Sequence, residues 1–259
     1  MDSSKEIQDQ DSCNWSNSNS LNPIAQQKDG ACCFAFAICG VIEFLHCIEK
    51  NVQERILLSP QDIYDNLVKS ENENAKGFTI PHVIEWVRVN GCVLESSCPY
   101  VGKFRPVERK RKVYLRITTS FAIDLRNDLA FKKAKHKKYE KQLQAEIRIA
   151  PVVAQMIWTS HMSLWKGDNV YSIQDAKTFE NKEVDEKEIE YHAVMIVGFG
   201  QRREKKKITK YWIIKNSHGV EWGNKGYCKI EREPINGELL IEMAWILKGV
   251  TYKDQNGSK

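Results

Sequence analysis

The sequence predicts an α+β fold in which a helical first half packs against a β-rich second half, with a cleft between them. Three observations carry this. The run 33–49, CFAFAICGVIEFLHCIE, is apolar almost all round and of helical length, the pattern of a central buried helix. Two further helical signatures, SPQDIYDNLVK and PHVIEWVRVN, follow it. Beyond residue 150 the chain turns to β-branched and aromatic runs bounded by turns. Clefts between two such halves are a usual place for sites.

Taken in order, residues 1–22 are polar, carry Trp15, and read as an extended lead-in. In 59–69, Ser59 supplies an N-cap and Pro60 the first helical position. Residues 81–90 repeat that logic and stop before Gly91. The segment 105–117, RPVERKRKVYLRI, is a basic connector that becomes alternating. The run 132–149 ends as an amphipathic helix with Leu143 and Ile147 four apart. Its lysines read as a solvated face, because only Tyr139 is at hand to stack on a base. Strands are expected at 151–158, 192–199, 210–216 and 227–231, with GQRREKKKITK as an exposed hairpin. The reading is one domain over 1–259, helical from about 18 to 128 and β-rich from about 129 to 250, with flexible ends at 1–14 and 251–259.

Composition narrows the function classes. With 259 residues, 42% hydrophobic and 10% aromatic, the chain can bury a real core. The net charge of +5 sits largely in two local runs, so no nucleic-acid partner is expected. No apolar stretch reaches the length of a membrane span. The start, MDSSKEIQDQ, lacks the basic and apolar regions of a secretory signal, so the chain as written would stay in the cytosol. The eight cysteines form no C-x-x-C pair and no second Cys/His cluster, so no metal and no cofactor is expected.

The stretch 26-QQKDGACCFAF-36 places two cysteines at the start of the central helix. Unpaired N–H groups and the macrodipole there favour a thiolate. A nearby imidazole would hold that thiolate and protonate a leaving group. His192 opens the strand HAVMIV, and Asn216 closes the strand YWIIKN, where an amide would fix the imidazole's tautomer. Gln27, six residues before Cys33, offers a side-chain N–H beside the Cys33 backbone N–H for an oxyanion. Each residue alone also has a bland reading: a buried core thiol, a structural histidine, a turn asparagine, a loop glutamine.

Together, in this order, these local sequences resemble the papain-like cysteine proteases, of the papain and cathepsin type, over roughly Trp15 to Gly249. QQKDGACCFAF resembles Q-x-x-x-C-G-S-C-W-A-F; LSPQD at 58–62 and CPY at 98–100 resemble L-S-E-Q-E and Y-P-Y. HAVMIVGFG at 192–200 resembles H-A-V-x-x-V-G-Y-G, and YWIIKNSHGVEWGNKGY at 211–227 resembles Y-W-x-x-K-N-S-W-G-x-x-W-G-x-x-G-Y. The resemblance implies a two-subdomain fold with a barrel-like right half, and cysteine-type peptide-bond hydrolysis through a thioester, endopeptidase in subtype. It assigns Cys33, His192 and Asn216 as catalytic residues, Gln27 as the oxyanion donor, and Trp222 and Phe34 as supporting aromatics. It also implies a substrate pocket at Gly77, Phe78, Ile80, Gln155, Tyr191 and Ala193, with Gln155 and Tyr191 placed by ungapped alignment. It further implies a polypeptide substrate, propeptide-like or cystatin-like inhibitors, a monomer, and a lysosomal, vacuolar or extracellular setting.

The chain also departs from the family pattern. Phe34 stands for tryptophan; Gly30 stands for a disulfide cysteine whose partner falls near Ala75; none of the family's standard disulfides is expected. His218 stands where a tryptophan shields the Asn–His bond, Ala31 replaces a glycine, and Phe78 falls near another. The family's inhibitory propeptide is not expected within this chain. These departures motivate a second reading, a protein of this fold that binds peptides or propeptides without turnover.

Overall fold

The apolar run at Cys33 forms helix α1 (Cys33–Lys50), buried from Phe34 to Cys47 except at Phe36. Its end is set by Asn51 in the left-handed region, φ 51°, whose N–H closes onto Cys47 and Ile48 carbonyls. The structure, a computed structural model, describes residues 5–6, 12–28, 31–52, 54–70, 78–106, 110–130, 138–175, 190–204 and 207–252. The lysine run 132–137 and the insertion at 176–189 lie outside the described residues.

Helix α2 (Pro60–Ser70) begins as the sequence predicts. Ser59 Oγ accepts from Asp62 N at 3.0 Å and donates to Cys98 O at 2.5 Å. Helix α3 (Ile80–Asn90) stops where Gly91 takes φ +72° and its N–H reaches Val87 O at 2.7 Å. The basic connector is spent on this helical half. Arg111 grips the fully buried Asp62 at 2.6 Å and donates to Asn90 O and Gly91 O at 2.9 and 2.7 Å. Arg105 pairs with the buried Asp65 at 3.5 Å. A charge sealed from water needs such a partner.

The described strands form one sheet, and the first half of the chain supplies three of them. Its strands are β1 (Lys5–Glu6), β2 (Cys13–Asn14), β3 (Leu115–Asp124), β4 (Val152–Trp158), β5 (Val170–Tyr171), β6 (Glu190–Glu204), β7 (Lys207–Lys215), β8 (Tyr227–Glu231) and β9 (Ile241–Tyr252). The order is β3-β9-β4-β6-β7-β8-β5, with β1 and β2 on β6; only β5–β8 is parallel. β6 and β7 form the expected hairpin, pairing Glu204 with Lys207. β9 and the second half of β3 go beyond the strands read from sequence. IEMAWILKGVTY carries helix formers and LRITTSFAID is largely polar, and pairing with each other supplies what local preference lacks.

The period of two in these strands splits the core. Ala193, Met195, Val197, Tyr211, Ile213, Trp245 and Leu247 face α1. Val194, Ile196, Trp212, Ile214, Ala244 and Ile246 face the other way, where helix α4 (Lys138–Ile147) packs Leu143 and Ile147. A sheet buried on both faces reads as a continuous apolar run, as HAVMIVGF does. Gly40 lets α1 lie close on β6: a Cβ there would stand 2.5 Å from Met195 Sδ. That approach brings the start of α1 against the start of β6, and the two halves meet there.

Candidate active site

The two adjacent cysteines part company at the start of α1. Cys32 is the N-cap residue, with φ −128° and ψ 24°, and is fully buried. Its Sγ lies 3.0 Å from Tyr100 Oη, which itself donates to Gln27 O at 2.6 Å. Tyr100's one proton is thereby committed, so the Cys32 S–H donates to the tyrosine oxygen. Burial pushes the Cys32 thiol up to about 12. Cys33 is half-buried, and its Sγ accepts from Ala193 N at 3.4 Å. Burial raises the Cys33 thiol too, but the N–H groups of Ala193, Phe34 and Cys33 itself oppose it. No acidic residue sits in the first turn of α1 to repel a thiolate.

His192 lies at the start of β6, one residue before the Ala193 N–H that touches Cys33. Its Nε2 meets Asn216 Oδ1 at 2.7 Å, and the same oxygen accepts from Ser217 N at 2.8 Å. An oxygen holding two contacts of this kind makes Nε2 the protonated nitrogen of the neutral ring. Burial lowers His192 to about 4, with the Asn216 bond opposing. Burial thus penalises each lone charge: the thiolate on Cys33 and the imidazolium on His192. Asn216 Nδ2 is buried and without a hydrogen-bond partner among the described residues, and Asn216 is one of the residues, with Lys215, Glu43 and Glu95, that line a cavity of about 180 Å³.

The aromatic shield differs from expectation. Trp158, at the end of β4, covers His192 with ring centroids 4.4 Å apart. Trp222 sits one ring further out, 5.9 Å from Trp158 and 6.4 Å from His218, and donates to Met162 O at 2.7 Å. His218 fills the space between, 4.9 Å from His192 and edge-on to Trp158 at 5.0 Å. Burial, and then the nearby His192, lower His218 to about 4. Trp158 had no local signal, since PVVAQMIW reads only as a strand; its role follows from register, with Met156 opposite His192.

Gln27 is locked on several sides. Its N–H donates to Ser217 O at 2.7 Å, its Oε1 accepts from Ser217 Oγ at 2.5 Å, and its carbonyl takes the Tyr100 proton. The side-chain carbonyl therefore faces Ser217, which turns Nε2 the other way. Gln27 is 7% exposed, so this donor is positioned away from bulk water.

The relationship to known proteins agrees with this geometry. The model of the papain family of cysteine proteases matches residues 10–247. The chain belongs to the papain family of cysteine proteases. It is 26% identical over 232 residues to human cathepsin L2, covering 87% of this chain and 61% of that one. It is 30% identical over 222 residues to a cysteine proteinase of Theileria annulata, covering 85% of this chain and 43% of that one. The chain thus spans less than two thirds of the length of these relatives. A crystal structure of the Amb a 11 cysteine protease, a ragweed pollen allergen, in its proform superposes with a TM-score of 0.68 at 22% identity, over 93% of this chain and 67% of that one. The fold is the α+β papain-like fold.

Within this family framework the pocket residues separate. Gly77 lies outside the described residues, as do Gly30 and Ala75. Phe78 turns its ring edge-on to Phe34 at 5.6 Å. Gln155 lies opposite Ala193, and Tyr191 is 53% exposed opposite Ile157. Ile80 does not reach the cleft surface: at the start of α3 it is 4% exposed, packed into the core around α1. None of the eight cysteines is in a disulfide, as the missing family positions implied.

Proposed function

We propose that the protein hydrolyses peptide bonds as a cysteine-type peptidase, with Cys33 as nucleophile, His192 as acid and base, Asn216 as the orienting amide and Gln27 as oxyanion donor. The observation that carries this is the 3.4 Å contact from Ala193 N to Cys33 Sγ, which sets His192's own strand against the thiol. Asn216 engages Nε2 of His192, leaving Nδ1 to serve Cys33. Proton transfer from Cys33 to Nδ1 makes the thiolate. The thiolate attacks the carbonyl carbon and forms the S–C bond, while Gln27 Nε2 and the Cys33 N–H hold the oxyanion. The C–N bond then breaks as Nδ1–H protonates the amine. Water, deprotonated by His192, attacks the thioester; the C–S bond breaks and the thiol is restored.

An endopeptidase is the subtype proposed, because Lys28, Lys166 and Glu221 beside the site are solvent-exposed and leave room for chain beyond the cut. Polypeptide substrates and propeptide-like or cystatin-like inhibitors are its proposed partners. The test is labelling by a cysteine-directed epoxide probe, compared in the wild type, Cys33→Ala and Cys32→Ala. Labelling lost only in Cys33→Ala supports the assignment; labelling retained there overturns it. One observation favours the second reading, binding without turnover: His218 stands against His192 and Trp158 in the family's tryptophan position. Tight peptide binding with no turnover, persisting in His218→Trp, would establish it.

A further inference from the structure

Beside His192, on the far side of His218, lies a recess of about 320 Å³ bordered by Gln26, Lys28, Ser163, Lys166, Glu221 and Trp222. Its position follows from the proposed reaction, on which this inference rests. The leaving amine takes its proton from His192, so the leaving chain departs past the rings packed on that imidazole, His218 and Trp158.

The recess is built on fixed backbone. Gln26 bridges His218, Gln27 N reaches Ser217 O at 2.7 Å, and Gly219 N reaches Ala25 O at 2.9 Å, so the wall carrying Lys28 is stitched to the His218 loop. Lys28 itself takes the left-handed conformation, φ 53°, and its Cδ lies 3.3 Å from where a Cβ of Gly102 would stand. On the opposite wall Lys166 bridges Gly223, with Gly167 N to Gly223 O at 3.2 Å and Gly223 N to Trp165 O at 2.9 Å. Ser163 Oγ accepts from Trp158 Nε1 at 3.1 Å, which directs its own proton elsewhere.

The chemistry of these walls is one-sided. Among the described residues that border it, Lys28 and Lys166 stand against one carboxylate, Glu221, and the neutral groups add hydrogen-bond donors: the Ser163 hydroxyl, the Gln26 amide and the His218 ring. We propose that this recess binds a carboxylate carried on the leaving-group side of the cut. The source is either an Asp or Glu side chain within the first two leaving residues or the free C-terminal carboxylate of a short leaving segment. Exposed lysines act through partly screened charge, so the discrimination is about five- to tenfold in low salt and fades as salt rises.

The experiment uses the full chain and two peptide series. In the first, C-terminally amidated quenched fluorogenic peptides differ only at the first leaving residue: Asp, Asn, Ala or Lys. In the second, peptides end one residue past the cut as the carboxylate or the carboxamide. Both series are also titrated calorimetrically into the Cys33→Ala protein, which reports binding whether or not the wild type cuts. Asp over Asn in the first series assigns a side-chain carboxylate; carboxylate over carboxamide in the second assigns a chain end. In either case Lys28→Gln and Lys166→Gln shrink the ratio, and Glu221→Gln enlarges it. Cleavage with Asp equal to Asn, and carboxylate equal to carboxamide in both assays, overturns the inference and leaves the peptidase reading standing. Carboxylate-dependent binding with no peptide cut does the reverse.

Discussion

Replacing Ser217 by alanine isolates how the oxyanion donor is aimed. Ser217 Oγ holds Gln27 Oε1 at 2.5 Å, with both residues less than 10% exposed. A net bond of about 1 kcal/mol, against RT of about 0.59 kcal/mol, biases the amide about fivefold toward the orientation that points Nε2 at the oxyanion. Without it the two orientations approach equal population, so the productive share falls from about five in six to about one in two and kcat/KM falls about 1.7-fold in Ser217→Ala. Gln27→Ala removes the donor itself and costs about 10²–10³-fold in kcat. The double variant then loses no more than Gln27→Ala, because an absent amide cannot be misaimed. The assay is fluorogenic peptide hydrolysis normalised by active-site titration, so that misfolded protein is not counted. Additive losses, with Ser217→Ala costing as much beside Gln27→Ala as in the wild type, would refute the reasoning.

Other perturbations test the scaffold and the imidazoles. Arg111→Met strands the buried Asp62 carboxylate and should lower unfolding free energy by about 3–5 kcal/mol in urea titrations, with Asp62→Asn added to it recovering part of the loss. Trp158→Ala opens His192 to water, so its pKa rises from about 4 toward the ordinary value and the acid limb of kcat/KM moves to higher pH; an unmoved limb means the ring does not seal the site. His192 and His218 both have lowered folded-state values, about 4 against the ordinary 6.5. As pH falls through about 6.5 the unfolded chain takes protons that the folded chain refuses, so their contribution is whole above that pH and is lost between it and about 4. The drop in urea midpoint from pH 7.5 to 4.5 should therefore shrink in His218→Phe; an equal drop in both proteins counts against it.

Much of this was legible in the sequence because it was local. Ser59-Pro60 announces a helix start, an all-round apolar run announces α1, and the four site residues sit in stretches whose neighbours repeat a family pattern. What escaped was set by partners far along the chain. β9 is a strand because β3 and β4 flank it, although its residues include good helix formers. Trp158 covers His192 through strand register, which no property of PVVAQMIW reveals. Trp222, assigned by motif to the imidazole, yields that place to Trp158. Arg105 and Arg111 read as part of a basic run, yet each meets a carboxylate some 40 or more residues earlier.

That last pairing bears on the site itself. In place of sulfur bridges, the helical half is latched by polar groups along one side of α2. Gln61 accepts from Val101 N at 2.9 Å and donates to Lys103 O at 2.8 Å; Asp65 accepts from Arg105 N at 2.9 Å; Asp62 takes the Arg111 guanidinium. The segment so held carries Tyr100, whose N–H is also fixed by Glu95 Oε1 at 2.7 Å. Tyr100 in turn donates to Gln27 O and takes the Cys32 thiol. One hydroxyl therefore does two things at the start of α1: it braces the loop that aims the oxyanion donor, and it ties Cys32 down as a thiol beside Cys33. The two cysteines differ because of which neighbours reach them, Tyr100 from the latched helical half and Ala193 from the sheet.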